Sequence, residues 1–220
     1  MGFRAPSVTP SAAKSATATA FYPRLLRRLR ATALGLLALG ALAACTPPEP
    51  VFRSTDISGA DYGKGFTLTD HHGQVRSLAD FRGKVVTLFF GYTQCPDVCP
   101  TALSGMSEVI SRLGADGERV QVVFVTVDPE RDTPALLAEY VPLFDPRFLG
   151  LTGSPEEIAA VAKEFRVFYR KSGDLEGHYT VDHSAGTYVF DPQGRLRLYL
   201  RHGEAAETVA ADIQALLDGK

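Results

Sequence analysis

The sequence predicts an α/β domain whose central mixed sheet is flanked by helices and closed by a terminal β-hairpin. Three observations carry that reading. Two short apolar runs rich in β-branched and aromatic residues, Lys84–Phe90 and Val120–Val127, have the character of buried central strands. Stretches with helical apolar spacing follow them. The chain closes with two more strand-like runs about a turn and a last helix, an order that lays helices against one sheet.

The elements follow in order. Phe66–Thr69 and Gln74–Leu78 read as a hairpin about the turn His71-His72-Gly73. Lys84–Phe90 runs into Gly91-Tyr-Thr-Gln-Cys95-Pro-Asp-Val-Cys99-Pro100, after which Leu103, Met106, Val109, Ile110 and Leu113 recur at helical spacing. A helix is expected from about Pro100 to Leu113, and proline suits a first turn, where its missing N–H costs nothing. Val120–Val127 leads through Asp128-Pro-Glu-Arg-Asp-Thr-Pro134 to a helix carrying Leu136, Leu137, Tyr140 and Val141. A short strand near Phe148–Leu151 precedes Ser154 and Glu157, whose spacing is that of a capping box opening a helix to about Phe165. A strand near Val167–Lys171 and a polar loop come before the closing hairpin, Thr187–Phe190 and Leu196–Leu200 around Asp191-Pro-Gln-Gly194. The helix from about Glu204 to Leu217 ends the chain. With a cysteine pair between the first buried strand and its helix, the arrangement is that of a thioredoxin-like fold.

The N-terminus speaks to location. Arg24-Leu-Leu-Arg-Arg-Leu-Arg30 is followed by the apolar run Ala31–Ala44, ending in Leu42-Ala43-Ala44-Cys45. A basic stretch, a short apolar core and small residues before a cysteine have the anatomy of a secretory signal peptide. The run is shorter than the roughly 20 residues a membrane-spanning helix needs. Leu-Ala-Ala-Cys resembles the bacterial lipobox, which implies cleavage before Cys45 and lipid on its sulfur. The expected organisation is a signal peptide over residues 1–44, a Pro-rich polar tether over 45–64 and a domain over 65–220. A plain signal peptide and an uncleaved anchor are the alternatives, and each places the domain outside the cytoplasm.

Removing residues 1–44 takes six basic residues from the chain's 23 and none of its 25 acidic ones, leaving a net charge of about −8. Such a surface argues against nucleic acid as a partner, because neutralising phosphates requires a basic one.

With Cys45 assigned to lipid, the domain keeps Cys95 and Cys99, four residues apart at a helix start. On a helix this spacing puts both on one face about 6 Å apart, close enough for a disulfide and equally for two thiolates on one metal ion. A helix N-terminus favours the thiolate, the form that binds metal or attacks disulfides. A structural disulfide is the plainer alternative, although so short a loop gains little from one.

Five histidines compete for a third ligand role: His71, His72, His178, His183 and His202. His183 stands apart because it lies just before Thr187–Phe190, in the loop that a thioredoxin-like topology brings opposite the cysteine turn. Thiol-disulfide enzymes of this fold place a cis-proline there, whereas no proline occurs from Glu156 through Asp191.

Three phrases, Gly91-Tyr-Thr-Gln-Cys-Pro-Asp-Val-Cys-Pro100, Thr126-Val-Asp-Pro-Glu-Arg-Asp-Thr-Pro134 and Val181-Asp-His-Ser184, resemble the Sco/SenC family of copper chaperones in order and spacing. The likeness runs from about Phe66 to Leu217. It implies a copper site built from Cys95, Cys99 and His183, and a role in assembling the dinuclear copper centre of cytochrome c oxidase subunit II. Another copper oxidase as recipient and further copper chaperones as partners fit the same reading. The chemistry agrees, since soft thiolates suit Cu(I) and imidazole suits either copper state. A structural zinc site would want four protein ligands. Asp97, Asp128 and Asp182 are candidates for a fourth ligand or a supporting group, beside the plainer reading of loop carboxylates. An extracytoplasmic thiol-disulfide reductase and a copper sensor are the rival functions. A peroxiredoxin pattern fails at both cysteines. Apart from thiol-disulfide exchange, no enzymatic activity is expected.

Overall fold

The computed structural model describes residues 1–2, 52–174 and 178–220. The expected signal peptide and Cys45 lie outside them, apart from residues 1–2. The described residues from Phe52 to Lys220 belong to one compact unit. No helix among the described residues is long and apolar enough to cross a membrane.

The eight-stranded sheet is built from β1 (Thr55–Asp56), β2 (Thr67–Asp70), β3 (Val75–Ser77), β4 (Val85–Gly91), β5 (Val120–Thr126), β6 (Leu149–Thr152), β9 (Thr187–Phe190) and β10 (Leu196–Leu200). Its spatial order is β1-β10-β9-β4-β5-β6-β2-β3. The strands β4, β5 and β6 are parallel, and the flanking ones run antiparallel. This is the central mixed sheet of a thioredoxin-like fold. The remaining strands, β7 (Tyr169–Asp174) and β8 (His178–His183), form a separate two-stranded ribbon.

Burial explains the centre. Every residue of β4 and β5 is buried, as expected of strands covered on both faces. Phe90, Phe124, Phe165 and Phe190 are essentially inaccessible, and each such side chain contributes about 1.5–3 kcal/mol by leaving water. Helix α1 (Val98–Leu113) buries Leu103, Met106, Val109 and Ile110 and packs against α4 (Ala206–Leu217), which buries Val209, Ile213, Leu216 and Leu217. Helix α2 (Pro134–Tyr140) begins at Thr133, whose hydroxyl accepts the Leu136 N–H at 3.2 Å. Helix α3 (Pro155–Glu164) has the capping box read from Ser154 and Glu157. In the closing hairpin Asp191 accepts the Gln193 and Arg195 N–H groups, and Gly194 turns the chain at φ 71°.

Two expectations need correction. The polar loop expected before the closing hairpin contains β8, paired with β7 from Tyr169↔His183 to Asp174↔His178. Tyr179 and Val181 are buried while Thr180 and Asp182 are exposed, an alternation of period two that marks a one-sided strand. Within the tether expected over 45–64, the residues from Phe52 onward are part of the domain: β1 pairs with β10, and the buried Asp212 carboxylate accepts the Arg53 and Ser54 N–H groups at 2.8–3.1 Å. A short polar segment becomes structure here because a distant helix supplies its hydrogen-bond acceptor.

Candidate metal centre

Strand direction gathers the site. Parallel β4 and β5 both end on the same edge, where Gly91 pairs with Thr126 and the Val127 N–H donates to the Gly91 carbonyl at 2.8 Å. Antiparallel β9 starts beside that edge, with Thr187 opposite Phe89. The cysteine loop after β4, the Asp128–Pro134 loop after β5 and the segment entering β9 therefore meet, at the strand ends where open α/β sheets bind ligands.

The cysteine loop opens with a turn, the Cys95 N–H donating to the Tyr92 carbonyl at 3.2 Å. Helix α1 starts at Val98, two residues earlier than expected, so Cys99 lies in its first turn and Cys95 before it. Cys99 is fully buried and Cys95 half-buried, and both are free thiols. The Cys99 N–H points at the Cys95 sulfur, 3.4 Å away. Gly91 makes room for this arrangement: a Cβ there would stand 2.7 Å from Cys99 Sγ, 2.8 Å from the Phe124 ring and 2.9 Å from the Phe89 ring. That role has no signal in the sequence beyond a glycine at a strand end.

His183 ends β8 on the inward face shared with Tyr179 and Val181. Its ring packs edge-on to Phe89 and Tyr92, with centroids 6.0 and 5.9 Å away. Nδ1 lies 3.0 Å from the Ser184 carbonyl, an acceptor, so Nδ1 carries the proton and Nε2 keeps its lone pair. Nε2 is 3.5 Å from Cys99 Sγ. Burial pushes the His183 pKa down and the Cys99 pKa strongly up. The free Nε2 lone pair is thus placed to accept the Cys99 thiol proton, which would be released on metal binding.

The ligand atoms of Cys95, Cys99 and His183 lie within 4.8 Å of one another, and among the described residues they are the one such group. Bonds of about 2.0–2.3 Å to sulfur and imidazole nitrogen place the donors of one first-row ion at most about 4.6 Å apart, so the three groups would draw slightly together to hold one. Two soft sulfurs with one imidazole match the donor preferences of copper. The three carboxylates considered as a fourth ligand lie elsewhere. Asp97 is an exposed residue before α1 with the Thr101 hydroxyl on it at 3.3 Å. Asp182 is exposed opposite Arg170. Asp128 is buried, paired with Arg131 and accepting the Tyr179 hydroxyl at 2.8 Å. His71 and His72 pair with each other at 2.9 Å on the β2–β3 turn, and His202 lies after β10.

Sequence reasoning missed Asp132. It is fully buried and accepts the Thr93 N–H at 3.0 Å, the Thr93 hydroxyl at 2.6 Å and the Thr126 hydroxyl at 2.6 Å. It thereby ties the cysteine loop to the end of β5. Desolvation raises its pKa despite those three donors.

Known proteins share this architecture. The SCO1/SenC family model matches residues 54–218. The chain belongs to that family. The mitochondrial SCO2 homolog of Mus musculus is 42% identical over 201 residues, covering 87% of this chain and 79% of the mouse protein. Its Bos taurus counterpart is 44% identical over 166 residues, 74% of this chain and 62% of the bovine one. ScoI of Bradyrhizobium japonicum, solved with copper bound, is 43% identical with a TM-score of 0.65, covering 71% of this chain and 99% of that one. The chain thus spans less than two thirds of the bovine relative, and family membership rests on the domain that carries the Cys-Cys-His group.

Proposed function

We propose that this protein is a copper metallochaperone in which Cys95, Cys99 and His183 hold one copper ion as cargo for the copper centre of cytochrome c oxidase or another copper oxidase. The observation that carries the reading is the convergence of two thiols and an Nε2 lone pair at the end of β4. The copper-bound relative at 43% identity supports the choice of metal. Three donors suit a transferable ion, because an open coordination position admits a ligand from the recipient. The domain works outside the cytoplasm, tethered to the membrane of a bacterial envelope through lipid on Cys45 after cleavage of residues 1–44. Other copper chaperones are its partners on the supply side.

One feature favours a second reading as thiol-disulfide reductase: Cys95 is half-exposed while Cys99 is buried beside it. Cys95 would attack a target disulfide, and Cys99 would then displace the second target thiol, leaving Cys95 and Cys99 oxidised. His183→Ala separates the two. Reduced wild type is expected to bind one copper per chain, and His183→Ala to bind it more than about tenfold more weakly while its thiols still cycle. If His183→Ala supports oxidase assembly as well as wild type at limiting copper, delivery fails and the reductase takes first place.

A further inference from the structure

The Asp128–Pro134 loop reads in sequence as a turn and a helix start. In the fold it stands between the two halves of the metal centre. Asp132 faces the cysteine loop, as above. Arg131 faces the ribbon: Nη1 donates to the Tyr179 carbonyl at 2.9 Å and to Gln94 Oε1 at 3.1 Å, and Nε pairs with Asp128. The guanidinium stacks on the Tyr179 ring, 3.6 Å from its centroid, and the Tyr179 hydroxyl returns to Asp128 at 2.8 Å. Tyr179 precedes His183 by four residues on the same face of β8, and Gln94 immediately precedes Cys95. One side chain bridges the strand that carries the histidine and the loop that carries the outer cysteine.

We propose that Arg131 is a positioning residue of the metal centre, a latch that holds the β7–β8 ribbon, and through it His183, in register with the cysteines. The inference rests on the Cys95, Cys99 and His183 reading above. A two-stranded ribbon is marginal alone, and among the described residues this one shares no ladder with the large sheet. Its orientation is therefore set by what its inner face touches. Arginine suits the task because its planar fork serves Asp128, Gln94 and the Tyr179 carbonyl while its face stacks on the ring, a combination lysine lacks.

Copper titration of the full chain, with Cu(II) electron paramagnetic resonance, tests the latch. Arg131→Gln should bind copper about 10–100-fold more weakly, the range for removing a group that orients a ligand, and the nitrogen coupling from His183 should weaken. If Arg131 acts through His183, the double variant with His183→Ala should bind no worse than His183→Ala alone. Arg131→Lys should fail like Arg131→Gln. Wild-type affinity in Arg131→Gln, additive losses in the double variant, or full rescue by lysine would each overturn the latch. Should Arg131→Gln not fold, Tyr179→Leu removes the stacking platform and is read the same way. Unchanged binding by His183→Ala would overturn the copper site itself, an outcome distinct from a failure of the latch alone.

Discussion

The two halves of the metal centre are built to different standards of rigidity. Cys95 and Cys99 follow β4, a strand buried on both faces, hydrogen-bonded on both edges and joined to α1 by a short turn. His183 hangs at the end of a ribbon whose outer residues Thr180 and Asp182 face solvent and whose inner residues Tyr179 and Val181 are buried, Tyr179 against Arg131. Beyond the ribbon, Ser184 is tied back to Phe168 by two bonds: its N–H donates to the Phe168 carbonyl at 2.9 Å, and its hydroxyl accepts the Phe168 N–H at 3.1 Å. On the proposed function, a centre that holds copper and also hands it on would gain from such asymmetry. The sulfurs can stay placed while the imidazole departs.

The sharpest way to break this comparison is native-state hydrogen exchange. Amides of β4 and β5 should exchange only through global opening, and those of β7 and β8 through local opening, a difference of at least about 1,000-fold given typical domain stabilities and the spread of local openings. Equal protection across the two regions would remove the distinction.

Gly91→Ala strikes the rigid half alone. Its Cβ would meet Cys99 Sγ and two phenyl rings below 3.0 Å, so stability should fall by about 1–3 kcal/mol and copper affinity with it. Denaturant midpoints of the apo protein and copper titration together read the effect. Unchanged copper affinity would show that Cys99 is free to shift, contrary to a rigid cysteine half.

The smallest effect sharpens the contrast between the ribbon histidine and a core one. Burial, and then the neighbouring His72, hold His71 below the ordinary histidine pKa, and its Nδ1 accepts the Gly150 N–H at 3.0 Å, which requires an unprotonated nitrogen. A depressed folded pKa means that the unfolded chain binds more protons. The stabilisation is full above the ordinary value of about 6.5 and is lost as pH falls below it toward the folded pKa. Denaturant midpoints of the apo protein measured from pH 7 to pH 5 should decline, and His71→Gln should flatten that decline. An identical slope in the variant would show that His71 takes no part.

Much was legible in sequence because its signals are local. The apolar runs of β4 and β5, the heptad-like spacing of α1, the Ser154–Glu157 box and the Asp191–Gly194 turn each declare themselves within a few residues, since side-chain periodicity and turn chemistry are short-range physics. Cys95, Cys99 and His183 were singled out by residue type and by a family likeness, and the chain does bring them together. What only the tertiary structure decided is the set of groups whose partners are remote in sequence. Strand β8 is buried on one side by a loop some fifty residues earlier, β1 exists because Asp212 accepts its entering N–H groups, and Gly91 is required by a sulfur and a phenyl ring that arrive from other elements. Asp132 and Arg131 read as ordinary loop charges until β4, β5 and the ribbon are assembled around them. The physical reason is the same in each case: a buried polar group takes its meaning from the partner that satisfies it, and folding, not sequence proximity, supplies that partner.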